Sequence, residues 1–443
     1  MLKTMLLRCL TGVRPVRAAL TFFVSVYFSV VACSQEAERP LRWWKGNLHT
    51  HSLWSDGNDF PEMIAAWYAE RDYNFLALSD HNVLSRGQRW MSLEKIVARS
   101  DKGILSRYQA KFGKAWVETR GALGQTDYEV RLKPLDEFRC LVEQAGKFLM
   151  IEAEEVSDKA QGKPVHMNVS NLSQVIEPAG GATVQEVMQN NLRLMLEHEK
   201  ASGRQILPHL NHPNFGYAVV AADIARTIEE RFFEVYNGHP GVNQLGDKDH
   251  QSIESMWDVV NAMRIAWLDS PPIMGIATDD SHEYHGKPGS RPGRGWVMVR
   301  ARYLTPEHLI LAMKAGDFYA SSGVELEDMQ FDAENRKLSL KIAAESSAVY
   351  ETKFIVISKS TSTTTESAAG INDKKSRESE TGQPPLPTAK VAMVVTGLAP
   401  EYTMKENDLY VRAIVTSSLP HVDPSLEDQK QQAWTQPVGF RQP

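Results

Sequence analysis

Between Trp43 and about Gly323 short apolar runs alternate with stretches of helical pattern. Phe75-Leu76-Ala77-Leu78-Ser79 reads as a buried strand that ends at Asp80-His81. Pro61 to Arg71 before it reads as a helix, with Pro61 in the first turn and Asp59 as its cap. Phe148 to Ile151, Gln205 to Leu207, Phe232 to Tyr236 and Ile273 to Ala277 are further short strands. Strands alternating with helices predict an α/β layout with a largely parallel sheet or barrel. Residues 85–135 are charged and helical in composition and read as an insertion over the barrel mouth. Beyond about Val324 the pattern changes to strand-like runs with no helix between them: Lys337–Ile342, Phe354–Ile357, Val391–Val395 and Tyr410–Val415. They predict a small antiparallel sandwich over 324–443. Residues 358–388, rich in Ser, Thr, Glu and Lys and closing on Pro384-Pro385-Leu386-Pro387, read as a disordered loop within it.

The chain start departs from both patterns. Lys3, Arg8, Arg14 and Arg17 form a basic region, and an apolar run from Ala18 to Ala32 follows it. The run is short for a bilayer span and ends in Val30-Val31-Ala32-Cys33. Small residues before a cysteine resemble a bacterial lipoprotein cleavage box. The expectation is a lipoprotein-type signal peptide over 1–32, a lipid on Cys33, and an exported protein tethered to the membrane through that anchor alone, facing the periplasm or the cell exterior. Loss of the leader takes four positive charges from a net charge of −6 and leaves −10. Cys140 is then the one remaining thiol, so no internal disulfide is available. Its apolar helical setting predicts a buried, inert side chain.

An acidic chain without a basic stripe excludes long nucleic acids as partners. Its apolar and aromatic content excludes wholesale disorder. Histidine is unevenly spread: of 13, eleven fall between His49 and His285. They stand, with carboxylates, where predicted strands end, and in α/β barrels active sites are built at that end. His49-Thr50-His51 puts two imidazoles on one face of an extended segment, and Asp56 follows in Ser55-Asp56-Gly57. Then come Asp80-His81, Glu155 in Glu155-Val156-Ser157, His166, the pair His209 and His212, and Asp279-Asp280-Ser281-His282. Imidazole mixed with carboxylate suits zinc, manganese or iron rather than calcium or magnesium alone. Nine candidate ligands exceed one tetrahedral site and favour two or three metals with bridging carboxylates. His198, His308 and His421 read as solvated, and His285 and Lys287 as rim residues.

Taken in order, His49-x-His51, Asp56, Asp80-His81, Glu155-Val156-Ser157, His166, His212-Pro213 and Asp280-x-His282 resemble the motifs of the polymerase-and-histidinol-phosphatase (PHP) superfamily, over 43–323. The resemblance implies a distorted seven-stranded β/α, TIM-like barrel with a two- or three-metal cluster, in most cases a phosphoesterase. The implied ligands are His49, His51, Asp56, His81, Glu155, His166, His212, Asp280 and His282. Asp279 competes with Asp280, Glu152 and Glu154 with Glu155, and His209 with His212. Gly46-Asn47-Leu48-His49-Thr50-His51-Ser52 and Gly293-Arg294-Gly295-Trp296-Val297 look like an exported subgroup, itself similar to carbamate-hydrolysing metallohydrolases. Ala433 to Val438 resembles the last strand of the small β-domain often attached to them.

Such a centre lowers the pKa of a bound water to roughly 7, and the resulting hydroxide attacks phosphorus or a carbonyl. His209, His239 and Arg294 are candidates to serve the leaving group or the substrate. Arg294 would fork onto a phosphate. The expected activity is metal-dependent hydrolysis of a small-molecule phosphoester. The alternatives are an amide, carbamate or carboxylic ester hydrolase with the same metals, and a non-catalytic surface binding protein.

Overall fold

The computed structural model describes residues 39–358 and 386–440. The leader, its cleavage box and most of the predicted disordered loop lie outside these residues. In chain order the elements are β1 (Arg42–Asn47), α1 (Pro61–Ala69), β2 (Phe75–Leu78), β3 (Arg89–Ser92), α2 (Leu93–Arg99), α3 (Ile104–Phe112), β4 (Thr119–Arg120), β5 (Glu129–Leu132), α4 (Leu135–Val142), β6 (Leu149–Ala160), β7 (Lys163–Ser170) and α5 (Val184–Ser202). They continue with β8 (Leu207–Leu210), α6 (Ala221–Arg226), β9 (Phe232–Asn237), α7 (Ile253–Trp267), β10 (Met274–Thr278), β11 (Trp296–Ala301), α8 (Pro306–Lys314) and β12 (Phe318–Ser321). The last run is β13 (Leu326–Asp332), β14 (Lys337–Ile342), β15 (Tyr350–Ser358), β16 (Ala389–Thr396), β17 (Glu401–Thr403), β18 (Asp408–Pro420) and β19 (Lys430–Thr435).

One mixed sheet runs in the order β10-β9-β8-β7-β6-β2-β1-β11-β12-β19-β18-β15-β16. Pairing is parallel among β1, β2 and β6 and among β8, β9 and β10, and antiparallel at the other junctions. Among the parallel strands β2, β9 and β10 are buried along their whole length and mostly apolar, as strands covered on both faces require. β6 pairs with β2 through its first residues and with β7 through the rest, so it carries the sheet from one neighbour to the next. Its turn into β7 puts Gln161 and Gly162 at φ 51° and 80°, the left-handed pair that a tight hairpin needs. At β10 the Gln436 side chain pairs with the Gly275 backbone, accepting from its N–H (2.9 Å) and donating to its carbonyl (2.8 Å). An amide side chain thereby occupies strand-edge groups that would otherwise be left unpaired.

The C-terminal strands β15, β16, β18 and β19 extend this sheet, while β13, β14 and β17 form a second, three-stranded one. Met329, Leu338, Leu340 and Ile342 of the small sheet share an apolar cluster with Phe354, Val356, Val411 and Val415 of the large one.

Several local expectations are corrected. Phe60, not Asp59, is the residue before the first turn of α1, and no side chain caps that helix; Pro61 supplies the preset φ instead. The 85–135 segment holds helices but also the three-stranded sheet β3-β5-β4. Ser358 ends β15 and Leu386 packs on the core, so both edges of the 358–388 range are ordered. Cys140 is exposed, because the α4 face it occupies turns away from Leu135 and Phe138. His198 and His421 are buried rather than solvated. His198 meets the Ser173 N–H and hydroxyl at 3.2 Å, and His421 meets the Arg294 carbonyl at 3.0 Å.

Candidate metal centre

The nine implied ligands come together beyond the ends of β1, β2, β8 and β10 and on the β6–β7 hairpin. Alternation in the extended segment after β1 sends His49 and His51 to one side, while the Thr50 hydroxyl turns to Asn47 Oδ1 (3.3 Å). The segments are stitched past the strand ends: the His51 N–H donates to the Ser281 carbonyl and the Ser79 N–H to the Thr50 carbonyl, each at 2.9 Å, and His81 bridges to Glu155. Two of these residues sit on left-handed backbone, His212 at φ 20° and Asp280 at φ 48°. Strain of that kind persists where surrounding contacts over-determine it, and it clusters at functional sites.

The ligand atoms form four overlapping groups, each with atoms within 4.8 Å of one another: His51, Asp56, His81 and His282; His49, His51 and Glu155; His49, His212 and Asp280; His81, Glu155 and His166. Glu155 Oε2 lies 3.4, 3.2 and 2.9 Å from nitrogens of His49, His51 and His81. Its other oxygen faces His166 (3.0 Å) and His212 (3.6 Å). Asp280 Oδ1 lies 3.2 Å from both His49 Nε2 and His51 Nε2. Asp56 reaches His81 and His282, each at 3.4 Å.

These residues fit divalent transition metals. Glu155 Oε2 and His166 Nδ1 are buried and make no hydrogen bond, although such groups are normally satisfied. On seven of these side chains burial opposes charge, yet the attraction of their neighbours wins. His49, His51 and His212 are raised above the usual imidazole value, and His81 is pushed up to about 11. Asp56, Glu155 and Asp280 are held far below the carboxylate range. Three clustered carboxylates demand positive charge, which imidazolium or metal cations can supply.

A surrounding layer orients the ligands. Glu234, an acid inside the apolar strand β9, accepts from His49 Nδ1 (2.7 Å), Thr278 Oγ1 (2.7 Å), Asn237 Nδ2 (2.7 Å) and the His212 N–H (2.7 Å). It fixes His49 with Nε2 toward the cluster. Sequence reasoning passed over it; the signal was a lone carboxylate in Phe232-Phe233-Glu234-Val235-Tyr236. Asn211 donates to Glu155 Oε1 (2.9 Å). Asp80 accepts from the Ser52 N–H (2.8 Å) and the hydroxyls of Ser52 (2.7 Å) and Ser55 (2.6 Å), which ties down the loop between His51 and Asp56.

The neighbouring aspartates separate cleanly. Asp280 faces the imidazoles, whereas Asp279 accepts from the N–H groups of Gly293 (2.9 Å), Arg294 (2.6 Å) and Gly295 (2.8 Å) and from the Tyr68 hydroxyl (2.6 Å). Gly295 has to be glycine here, since a Cβ would stand 2.6 Å from the Thr278 carbonyl. His212 joins a ligand group and His209 does not. The latter is fully buried, both its nitrogens lack hydrogen bonds, and Glu234 lies 3.8 Å away. Glu152 pairs with Arg86, and Glu154 accepts from the Ile176 N–H (2.9 Å). His239 stands beside His282, ring centres 5.8 Å apart.

The Arg294 guanidinium, expected to fork onto a phosphate, is engaged by the chain itself. Buried, it donates to the carbonyls of Gly238 (2.8 Å), Gly289 (2.9 Å) and Asp423 (3.1 Å) and pairs with the Asp423 carboxylate (3.3 Å). Gly289 is a near neighbour in sequence, but Gly238 and Asp423 lie 56 and 129 residues away, so only the fold discloses them. His285 pairs with Asp59 (3.3 Å) and with Arg107 of α3 (3.1 Å), and Lys287 donates to the Arg99 carbonyl (3.0 Å). The 85–135 segment therefore holds the loop that follows His282.

No family model matches the sequence, and no curated protein matches it. Solved structures are similar to it, two of which follow. One is a two-domain protein containing a predicted PHP-like metal-dependent phosphoesterase from Bacteroides vulgatus, 14% identical, covering 89% of this chain and 95% of its own, with a TM-score of 0.38. The other, a proposed metal-dependent phosphoesterase from Bifidobacterium adolescentis, is 10% identical and covers 56% of this chain and 90% of its own, with a TM-score of 0.30. The chemistry of this chain rests on its own residues.

Proposed function

We propose that the protein is a hydrolase that works with two or three divalent transition metal ions on a small phosphoester. The observation that carries the reading is Glu155, whose two oxygens face different sets of imidazoles, as a bridging carboxylate does. When bound, such ions supply a water of lowered pKa and positive charge for developing anionic oxygens. The chain's own residues do the rest. Glu234 keeps the His49 ring in one tautomer, and Asn211 holds Glu155. His239 Nδ1 accepts from the Gly241 N–H (2.9 Å), so its Nε2 bears the proton and donates to a substrate oxygen beside His282. The reading includes a distorted seven-stranded barrel for the strands up to β12, a β-sandwich for the strands after it, and export as a lipid-tethered protein.

A second reading keeps the metals and takes an amide, carbamate or carboxylic ester. It is favoured by Arg294, whose guanidinium is committed to the chain rather than to a phosphate. Nitrophenyl phosphate mono- and diesters, tested against the matching carbamate and acetate, separate the two. Phosphoester turnover is expected, and activity confined to the carbon esters would overturn the first reading.

A further inference from the structure

A loop of the C-terminal strands, residues 421–429 between β18 and β19, packs against segments that surround the candidate metal centre. Gln429 donates to the Tyr236 hydroxyl of β9 (2.9 Å). His421 Nδ1 accepts from the Asp423 N–H (3.0 Å), and its Nε2 donates to the Arg294 carbonyl (3.0 Å). The same loop holds the Arg294 guanidinium, whose Nε meets the Asp423 carbonyl (3.1 Å) and carboxylate (3.3 Å). Arg294 is 3% exposed, and Asp423 is its one ion-pair partner among the described residues. A buried guanidinium without such a counter-charge is costly, so the C-terminal loop is what allows the cation to sit there.

The other end of the guanidinium reaches the candidate site. Arg294 Nη1 donates both to the Gly238 carbonyl (2.8 Å) and to the Gly289 carbonyl (2.9 Å). The Gly238 carbonyl shares one planar peptide unit with the His239 N–H. That N–H donates to Asn237 Oδ1 (2.8 Å), so the unit is fixed at both ends. The Asn237 amide in turn donates to Glu234 (2.7 Å) and Asp280 (3.2 Å). The Gly289 carbonyl belongs to the peptide unit that leads to Ser290, and the Ser290 carbonyl accepts from the N–H groups of His282 (3.0 Å) and Glu283 (2.8 Å). One nitrogen therefore joins the segments that carry His239 and His282, whose rings stand 5.8 Å apart.

We propose that Asp423 is a positioning residue for the reaction: it seats Arg294, and Arg294 sets His239 against the substrate oxygen beside His282. The proposal rests on the hydrolase reading and makes the C-terminal strands a working part of the site rather than a separate module. Asp423 touches no substrate; it acts through Arg294 and the Gly238–His239 peptide. Displacement of a reacting group by a fraction of an ångström to about 1 Å is enough to slow a reaction by up to about a hundredfold.

Steady-state kinetics of the full chain test this, on whichever of the nitrophenyl phosphate, carbamate and acetate esters the wild type turns over. Asp423→Asn keeps the shape and removes the charge. It should lower kcat about tenfold or more, with KM within about twofold and metal content unchanged. In a His239→Ala background the same change should lower kcat by less than about twofold further, because the group it positions is gone. Arg291→Met removes the other, more exposed partner of Asp423 and should leave kcat within about twofold. Arg294→Lys keeps a cation but not the fork that spans Asp423 and two carbonyls, and should reproduce the loss. It carries the test if melting curves find Asp423→Asn unfolded. Unchanged kcat in the folded variants, or an equal loss with and without His239, would overturn the proposal and leave the hydrolase reading standing. A wild type that turns over none of the three esters would overturn both.

Discussion

Two buried polar regions of this molecule are built on opposite terms. Under the C-terminal strands, fully buried Arg412 meets Asp258 through two bonds of 2.8 Å, and the Tyr410 hydroxyl donates to the same carboxylate (3.0 Å). That group is neutral, with one buried atom, Arg412 Nη1, left without a hydrogen bond. At the strand ends, Asp56, Glu155 and Asp280 converge on six imidazoles, and one oxygen of Glu155 has no hydrogen bond. A buried charge closed by its own partners is a structural element; a convergent set that stays incomplete waits for a ligand. The same contrast separates Asp279, closed by three N–H groups and Tyr68, from Asp280 next to it.

Substitutions should break the two regions differently. Glu155→Gln, His51→Ala and Asp280→Ala each remove a proposed ligand. Turnover should fall by about a thousandfold or more, with metal content reduced and the melting temperature little changed. Assay together with metal analysis checks this. Breaking the Asp258–Arg412 pair should do the reverse. Arg412→Met leaves a buried carboxylate uncompensated and should cost about 3–5 kcal/mol in chemical denaturation, while folded enzyme keeps its rate.

Glu234→Gln should fall between these. It keeps the volume and weakens the hold on His49, so metal affinity or rate should drop about 10- to 100-fold. A merely structural role would move stability and leave metal affinity alone.

The candidate ligands were legible in the sequence because each sits in a short motif whose order and spacing survive folding. The support around them was not. Glu234 looks like one acid in an apolar strand until His49, 185 residues away, reaches it. Arg294 sits in a glycine-rich run that suggests phosphate, yet its partners Gly238 and Asp423 are brought to it only by the fold. His198 and His421 were read as solvated because local pattern does not show which distant segment covers a helix or loop. Short apolar runs located about half of the described strands, but not the register by which β18 and β19 continue the sheet begun by β1 and β2.

The smallest effect concerns pH. Glu62 is fully buried, and burial outweighs the donors Tyr108 and Trp116, pushing its pKa from 4.5 to about 7. The folded state then keeps a proton that the unfolded chain has lost. The associated stability is full below about pH 4.5 and is lost as pH rises to about 7, by up to about 3 kcal/mol. Glu62→Gln should flatten that portion of the stability–pH curve without altering metal content. An unchanged slope would show that the carboxyl is not held protonated.

Metal stoichiometry of the purified protein tests the central claim most directly. Two to three equivalents of zinc, manganese or iron per chain are expected in the wild type, and a clear loss in Glu155→Gln. Less than one equivalent in the wild type, with no uptake on titration, would contradict the account.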